Sequence, residues 1–543
     1  MKINDQQLTQ IDEQYIMRLL DRDVQTLADL TLTLANDLKE ARERINQNPS
    51  NSSKPSGSLA PWDKGLSNDD QPGDIDEDDN SAAISTPSAT DALSDLNKTD
   101  EANSDDADSG DDSSSNDTKT KHKAGRQKGS QGYGRTQKLP VTHTEHHYCD
   151  LCQVCNTSLS AVEKAYTGFY SLNITFGQTD TPGIQLTNTR HLYYSATCPT
   201  CELETITKPW RAPPEPVLWE EVGLTEWRLI GPELAAMIVY LSMEMRITRR
   251  KLQLFLHDIL GLELSIGVIQ NCLVESARAL APLEETLVED LLSESLIYVD
   301  ETSHKQSGDL RWLWVFISRN TALFLIGKRT KTIFTDLLAS SNSPYTGWLM
   351  SDGYVVYRGY LKRLRCWAHL ERKALGLSEC LVIASKTQGE QMLNIIKNLM
   401  SAVYEAREGP DKGMMSISKS HQDELSRLRK LCLIMGESSH KKTRELGREF
   451  LNDWDAIFRV LEKPAWPLTN NEAERALRHW VIMRRITQGT RSEQGSRTLG
   501  LLASVIATCR LRKYSPILYI RDVIRLRRQG KGVPALPAKI AIN

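Results

Sequence analysis

Apolar residues near the amino terminus recur at alternating spacings of three and four and predict a long amphipathic helix within residues 1–48. Two series, each with a seven-residue period, interleave in an a/d pattern. They are Met17, Val24, Thr31, Leu38 and Ile45, and Leu20, Leu27, Leu34 and Ala41. Such heptads are typical of coiled coils. We expect an oligomerisation helix that makes the protein a homo-oligomer, although the same stripe could pack on the chain's own core.

Short apolar runs in the second half of the chain predict a sheet. The runs are Leu296–Val299, Trp312–Ile317 and Leu323–Ile326. They predict a three-stranded meander. A helix is expected from about Thr330 to Ala339, followed by a strand over Gly347–Met350. A meander followed by a crossover to another strand indicates an RNase H-like α/β core, over residues 291–379 and 464–515, in a multidomain α+β protein.

Residues 216–290 read as helical. Gly231-Pro232 marks the start of one helix, Gly261 the end of another, and Ser265 can cap the next. A second helical stretch, residues 380–463, would be an insertion that interrupts the predicted core.

Two of these helices, Thr248–Leu260 and Ser265–Ala279, have the proportions of a helix-turn-helix. Arg249 and Arg250 give the pair a basic edge and are candidate DNA-binding residues. Helices that simply pack together would show the same pattern, so both interpretations stay open.

Charge is distributed unevenly along the chain. Between Asp69 and Asp117 there are 17 acidic residues and one lysine, a charge of −16. Because the whole chain of 543 residues carries −3, the remainder carries +13. The acidic stretch has too little apolar surface to fold and predicts that residues 49–140 are a disordered linker, first acidic and then basic.

The basic part of the linker, residues 118–140, has seven Lys or Arg and no acid. Arg126, Lys128 and Arg135 are its candidate DNA contacts, since such a segment can lie along phosphates. A plain flexible linker is the alternative. Residues 516–543 form a second basic segment, predicted to be a tail.

Two cysteine pairs, Cys152-x-x-Cys155 and Cys198-x-x-Cys201, predict a structural Zn²⁺ site in a module over residues 141–215. Alternating residues between the pairs predict a hairpin that brings them together. Cys149 forms a competing C-x-x-C with Cys152, which leaves the choice of ligands open. Ten cysteines in so long a chain do not suggest a disulfide framework.

Three acids far apart in the chain, Asp300, Asp352 and Glu474, each follow or lie beside an apolar segment. Converging carboxylates repel one another until cations bind between them. Oxygen ligands suit Mg²⁺ or Mn²⁺, and two such ions about 3.5–4 Å apart suit phosphodiester displacement on nucleic acid. Taken singly, each acid could be a solvated surface residue, but together they predict a two-metal site.

Four blocks around these acids follow one another in a fixed order. They are Val299-Asp300-Glu301-Thr302, Ser351-Asp352-Gly353-Tyr354 with Tyr357, Cys366-Trp367-Ala368-His369-Leu370-Glu371-Arg372-Lys373, and Asn470-Asn471-Glu472-Ala473-Glu474-Arg475-Ala476-Leu477-Arg478. The ordered run resembles the transposases of the bacterial insertion sequence 66 group. The resemblance implies a DDE transposase whose acids are Asp300, Asp352 and Glu474, because Glu474 rather than Glu472 matches the family's Asn-x-x-Glu-Arg pattern.

Supporting residues lie beside these acids in the sequence. Cys366 and His369 resemble a pair found at this place in several transposase groups; they could shape the active site or be a packed cysteine and a hydrogen-bonded histidine. Arg475 and Arg478, one helical turn apart, could contact phosphates, or they could belong to a solvated helix face.

Together these features predict a transposase that cleaves and joins double-stranded DNA at element ends and target. The resemblance also implies small accessory proteins from the same element. A structure-selective nuclease and a catalytically inactive zinc-containing DNA-binding regulator are the alternatives. Leu234–Met243, the longest apolar stretch, is too short to span a bilayer, so we expect no membrane association and a cytoplasmic, nucleoid-associated location.

Overall fold

The computed structural model describes most of the chain outside the linker. The described residues are 11, 13–45, 137–160, 165–177, 182–211, 224–226, 228–339 and 344–541. The predicted disordered linker, with Arg126, Lys128 and Arg135, lies outside them except for its last four residues.

The amino-terminal apolar pattern forms two consecutive helices, α1 (Glu13–Arg22) and α2 (Val24–Ile45), where one was expected. Asp23 lies between them and accepts a hydrogen bond from the Thr26 N–H at 3.0 Å, as a residue preceding a helix commonly does. The predicted stripe is largely exposed, with Met17 at 54% and Val24 at 64%. Pairing with a second chain stays a prediction.

The cysteine-containing module is built on a four-stranded sheet. Its strands are β1 (His143–His147), β2 (Ala165–Thr175), β3 (Gln185–Thr197) and β4 (Glu204–Ile206). The predicted hairpin is present as the antiparallel β2–β3 pair, while β4 pairs antiparallel and β1 parallel with β3.

Four helices follow the module. They are α3 (Pro232–Met243), α4 (Arg249–Leu260), α5 (Ile266–Leu280) and α6 (Leu283–Leu292). The predicted boundaries hold: Gly261 ends α4 with a φ of 63°, and the Ser265 hydroxyl accepts from the Val268 N–H at 3.3 Å. Buried residues of α5, including Ile269 and Leu273, join the main apolar core.

The central part of the fold is a five-stranded mixed sheet. Its elements are β5 (Leu296–Gln306), β6 (Asp309–Ile317), β7 (Ala322–Gly327), α7 (Lys331–Ala339), β8 (Trp348–Ser351) and β9 (Arg363–Arg365). The strand order is β7-β6-β5-β8-β9. The first three strands pair antiparallel as predicted, whereas β8 pairs parallel with both β5 and β9.

A group of helices follows β9. They are α8 (Trp367–Ser378), α9 (Ile383–Glu408), α10 (Gln422–Gly436), α11 (Lys441–Asn452) and α12 (Trp454–Phe458). Their buried residues form a second apolar core that already includes Trp367 and Leu370, ahead of the expected boundary at residue 380. Arg363 on β9 ties the sheet to this core through Asp453, with Nη2 and Oδ1 2.6 Å apart.

The chain ends in three helices that return to the main core. They are α13 (Asn471–Thr487), α14 (Glu493–Leu511) and α15 (Pro516–Arg528). The last of these corrects the predicted basic tail, because Ile520 and Val523 are buried in the core. Arg528 is buried as well and donates to Glu275, with Nε and Oε1 3.0 Å apart. Within the described residues, no helix combines the length and apolar character needed to cross a bilayer.

Candidate active site and metal centres

Two acids occupy equivalent positions on neighbouring parallel strands. The last β5–β8 pair is Tyr298 with Met350. Asp300 and Asp352 each lie two residues beyond that pair, and neighbouring strands are separated by about 4.8 Å. Asp300 accepts a hydrogen bond from the Glu301 N–H, and Asp352 accepts one from the Tyr354 N–H, both at 2.9 Å. The sheet therefore brings together two of the three predicted acids.

Other carboxylates surround the buried Asp300. Burial is the largest cause of a pKa raised well above the usual value for this carboxyl group, and the negative charge of Asp352 is the second. Glu301 and Glu474 raise the pKa further, while the hydrogen bond from the Glu301 N–H lowers it. Because Glu474 acts on Asp300 across the site, the helix α13 contributes the third carboxylate to the same electrostatic cluster.

Glu474 rather than Glu472 faces this cluster. The Glu474 Oε1 lies 3.7 Å from the His369 Nδ1 and 3.8 Å from the nearest Arg372 guanidinium nitrogen. This oxygen is buried and has no hydrogen-bond partner among the described residues. Glu472 is 51% exposed and lies 3.8 Å from Arg475. Of the two glutamates, Glu474 is the one that lies against the cluster, and its role as a site residue stays a prediction.

Asn470, which the sequence interpretation missed as a functional residue, fixes the start of α13 against the sheet. Its side-chain Nδ2 donates to the Val299 carbonyl at 2.9 Å, and its backbone N–H donates to the Cys366 Sγ at 3.3 Å. Asn470 is fully buried. It therefore holds Glu474 in place relative to Asp300. The available signal was an asparagine directly ahead of a predicted helix, which usually indicates only a cap.

The Cys366–His369 pair lies against Glu474. The His369 Nδ1 and the Cys366 Sγ are 3.2 Å apart, and one possible metal-ligand set consists of these two side chains and Glu474. Burial raises the pKa of the Cys366 thiol and lowers the pKa of His369. The neutral forms favoured by burial fit a hydrogen-bonded pair that packs against Glu474.

A second acid beside Asp300 forms an ion pair and a hydrogen bond that the sequence did not reveal. The buried Glu301 receives the Arg329 guanidinium, with Nη2 and Oε1 2.6 Å apart, and a hydrogen bond from the Tyr357 hydroxyl. Arg329 in turn is stacked between Trp312 and Tyr354, at 4.1 and 3.8 Å from the ring centres. This contact set holds the strand beside Asp300.

The four predicted zinc ligands converge in the module. Cys155 Sγ lies 3.4 Å from Cys198 Sγ and 3.6 Å from Cys201 Sγ, and Cys152 Sγ lies 3.6 Å from Cys201 Sγ. Sulfur atoms about 3.8 Å apart are expected around a tetrahedral zinc ion with Zn–S bonds of about 2.3 Å. Cys149 instead donates to the backbone carbonyls of Tyr194 and Thr205. This set of four thiols could hold Zn²⁺.

Backbone N–H groups prepare part of this cluster for the thiolate form. Hydrogen bonds from Cys155 and Val154 lower the pKa of the Cys152 thiol to about 6. Hydrogen bonds from Cys201 and Thr200 have the same effect on the pKa of Cys198. Thiolates are the form that binds zinc.

The basic candidates on helices are accessible to a ligand. Arg249 and Arg250 are exposed in the first turn of α4, and Arg475 and Arg478 are exposed on α13. Their positions allow phosphate contacts, which stay a prediction.

The family-level comparison concerns the part of the chain that contains the acids. A family model described as "Transposase IS66 family" matches residues 228–498. The chain belongs to the IS66 transposase family. The matched range includes Asp300, Asp352 and Glu474 of this IS66 family member, and the cysteine module precedes it.

Two curated relatives come from Sinorhizobium fredii (strain NBRC 101917 / NGR234). The uncharacterized protein y4qI is 24% identical over 311 residues, which cover 53% of the chain and 57% of the relative. The uncharacterized protein y4jO is 26% identical over 180 residues, which cover 32% and 51%. The chain thus spans about half the length of these relatives, and their names assign no activity.

Proposed function

We propose that this IS66 family member is a DDE transposase, a polynucleotidyl transferase that cuts double-stranded DNA at the ends of an insertion sequence and joins those ends to target DNA. One observation carries the proposal. Two neighbouring parallel strands bring Asp300 and Asp352 to equivalent positions, and helix α13 adds Glu474, whose charge, with that of Asp352, raises the pKa of the buried Asp300. The family membership agrees with this chemistry.

The arrangement of the sheet supports an RNase H-like catalytic core. Three antiparallel strands are followed by two parallel ones, in the order β7-β6-β5-β8-β9. The first acid lies on the central strand β5, the second follows the adjacent β8, and the third is on α13. The helices α9–α12 lie within residues 380–463, the predicted insertion between the second and third acids.

The residues fit divalent cations bound by oxygen. Repulsion among Asp300, Asp352 and Glu474 would be relieved by positive charge, and the buried Glu474 Oε1 has no hydrogen-bond partner among the described residues. These three acids would hold two Mg²⁺ or Mn²⁺ ions. Bound ions of this kind supply Lewis acidity and an activated oxygen nucleophile. A structural Zn²⁺ would be held by Cys152, Cys155, Cys198 and Cys201.

The reaction proceeds in two displacements. Water attacks a phosphodiester at the element end, which breaks the bond to the 3′ oxygen and leaves a 3′ hydroxyl and a 5′ phosphate. The 3′ oxygen then attacks a target phosphorus, and the target's own 3′ oxygen leaves. Asn470 fixes Glu474 relative to Asp300, while Arg475 and Arg478 contact DNA phosphates.

The other regions position the DNA. The α4–α5 pair with Arg249 and Arg250, and the basic linker with Arg126, Lys128 and Arg135, bind DNA, while the amino-terminal helices join copies of the chain so that two ends are held together. Small accessory proteins of the same element complete the assembly.

The test is a Mg²⁺-dependent cleavage and strand-transfer assay on the DNA that flanks the gene. We expect Asp300→Ala, Asp352→Ala and Glu474→Ala to lose both steps while retaining DNA binding. Glu472→Ala is the matched control, because Glu472 lies on the same helix but faces solvent. Equal activity of Glu474→Ala and wild type would overturn the site assignment, and cleavage without joining would indicate the nuclease alternative.

A further inference from the structure

A second cluster of metal-ligand side chains lies on the sheet of the cysteine module. The Glu145 Oε2 is 3.0 Å from the His191 Nδ1 and 3.8 Å from the His147 Nε2. The two imidazole nitrogens are 3.3 Å apart. One carboxylate oxygen and two ring nitrogens therefore converge on one point, apart from the four cysteines.

The strand pairing accounts for this convergence. Strand β1 runs parallel to β3, and their register places Glu145 opposite His191. Alternate residues of a strand face the same side, so His147 joins Glu145 on that face while His146 faces the other. The set thus depends on parallel pairing between segments that are far apart in sequence.

Neighbouring side chains hold the histidine rings in a ligating orientation. The His191 Nε2 lies 2.9 Å from the Ser171 Oγ, and Phe169 stacks on His191 with ring centres 4.6 Å apart. A proton on Nε2 donated to Ser171 leaves the lone pair on Nδ1, the atom that faces Glu145 and His147. Tyr193 stacks on His147 at 4.3 Å. Metal-binding histidines commonly have such a partner for the second ring nitrogen.

The surroundings of these ligands allow a metal ion to enter. Glu145 is 48% exposed, and a polar cleft of about 900 Å³, lined in part by His147 and Glu226, opens beside the site. A cation can therefore reach these ligands from solvent.

We propose that Glu145, His147 and His191 form a second metal site, which binds a divalent transition-metal ion such as Zn²⁺ through two imidazole nitrogens and one carboxylate oxygen. Two histidines and a carboxylate form a known zinc ligand set that leaves a coordination position open. The ion cross-links β1 to β3 where the chain enters the module. The site shares no ligand with the three acids or with the cysteine cluster.

The test is metal content and Co²⁺ titration of the full chain. We expect wild type to bind two zinc equivalents apart from Mg²⁺, and Co²⁺ to give an intense thiolate absorption from one ion and weak bands from the other. His191→Ala should lose one equivalent and retain the thiolate absorption. Glu145→Gln, an exposed position where misfolding is not expected, should weaken the same equivalent. Ser171→Ala should weaken it by about 10–100-fold.

His146→Ala is the matched control, because His146 adjoins the site on the opposite face, and it should retain both equivalents. A single zinc equivalent in wild type with a normal thiolate absorption would overturn the proposal and leave Glu145 and the histidines as an ion-paired cluster. Retention of both equivalents in His191→Ala and Glu145→Gln would overturn it too.

Discussion

Two thiols of the cysteine cluster and the buried carboxyl group of Asp300 are affected by their surroundings in opposite ways. Around Cys152 and Cys198, backbone N–H groups lower the pKa of the thiols and stabilise the charged form. Around Asp300, burial and the neighbouring carboxylates raise the pKa and destabilise the charged form. The first arrangement suits a closed structural ion, whereas the second leaves repulsion that bound cations and a phosphate substrate can relieve.

The two clusters therefore have opposite effects on the free energy of folding. Four convergent thiolates supply folding free energy to a small sheet when zinc binds. Burial of the Asp300 carboxylate beside other acids costs folding free energy, and the surrounding core supports the cluster: Asn470 ties α13 to β5, and Arg329 forms an ion pair with Glu301. Loss of a cysteine should therefore affect folding of the module, and loss of an acid should affect chemistry.

The largest effect is expected from Cys198→Ser. Because apparent zinc binding energies in small domains are about 10–16 kcal/mol, this change should unfold the module and release its zinc. Circular dichroism and metal analysis measure both. Cys149→Ser is the control, since Cys149 contacts backbone carbonyls and not the cluster, and it should keep its zinc. A folded, zinc-loaded Cys198→Ser protein would remove the contrast between the two clusters.

Asp300→Asn, in contrast to Cys198→Ser, should abolish activity and leave the protein folded. We expect strand transfer to fall by at least about 10³-fold, equivalent to about 4 kcal/mol. The raised pKa means that the folded protein binds this proton more tightly than the unfolded chain does, so wild type loses stability as pH rises from the ordinary pKa through the raised one.

The Asp300→Asn variant should not lose stability as pH rises over this range. Thermal unfolding in chelator at several pH values checks the sign: near neutral pH the variant should melt higher than wild type, and at low pH the gap should close. Mg²⁺ should raise the melting temperature of wild type more than that of the variant. A variant that melts lower at neutral pH would contradict the repulsion.

Asn470→Ala should have an intermediate effect on both properties. It removes the donor to the buried Val299 carbonyl, which costs about 1–3 kcal/mol of unfolding free energy, and it loosens Glu474. Denaturant unfolding and the cleavage assay measure the two consequences. Asn471→Ala, at the exposed neighbouring position, should change neither. Equal effects from Asn470→Ala and Asn471→Ala would show that the hydrogen bond from Asn470 to Val299 has no particular role.

The smallest effect is expected from the exposed arginines of α13. Arg475→Ala and Arg478→Ala should each weaken DNA binding uniformly across sequences and reduce the slope of log affinity against log salt concentration by about one. Binding measured at several salt concentrations gives the slope. An unchanged slope would assign these residues to a solvated helix face.

Patterns in the sequence predicted the structure correctly where the contacts are local. The meander, the strand before Asp352 and the caps at Gly261 and Ser265 follow from patterns within a few residues, and the pairing of the two cysteine motifs followed from their spacing around a hairpin. The four ordered blocks around the acids led to the family.

Other features depend on contacts between distant segments. Strand β1 has the sequence His-Thr-Glu-His-His, without apolar alternation, and is a strand because it pairs with β3. Helix α15 is rich in arginine, yet its other face is buried, which charge alone did not indicate. Asn470 and Arg329 act through Val299 and Glu301, and no local pattern predicts such partners.

The most direct test of the central claim, that Asp300, Asp352 and Glu474 hold the same metal ions, is protein backbone cleavage by Fe²⁺ substituted for Mg²⁺. With ascorbate and peroxide, iron cuts the chain near the residues that bind it. The account predicts cuts near residues 300, 352 and 474 that disappear together with excess Mg²⁺ and in Asp300→Asn. Cuts that persist in that variant, or that never occur at one of the three positions, would contradict a shared site.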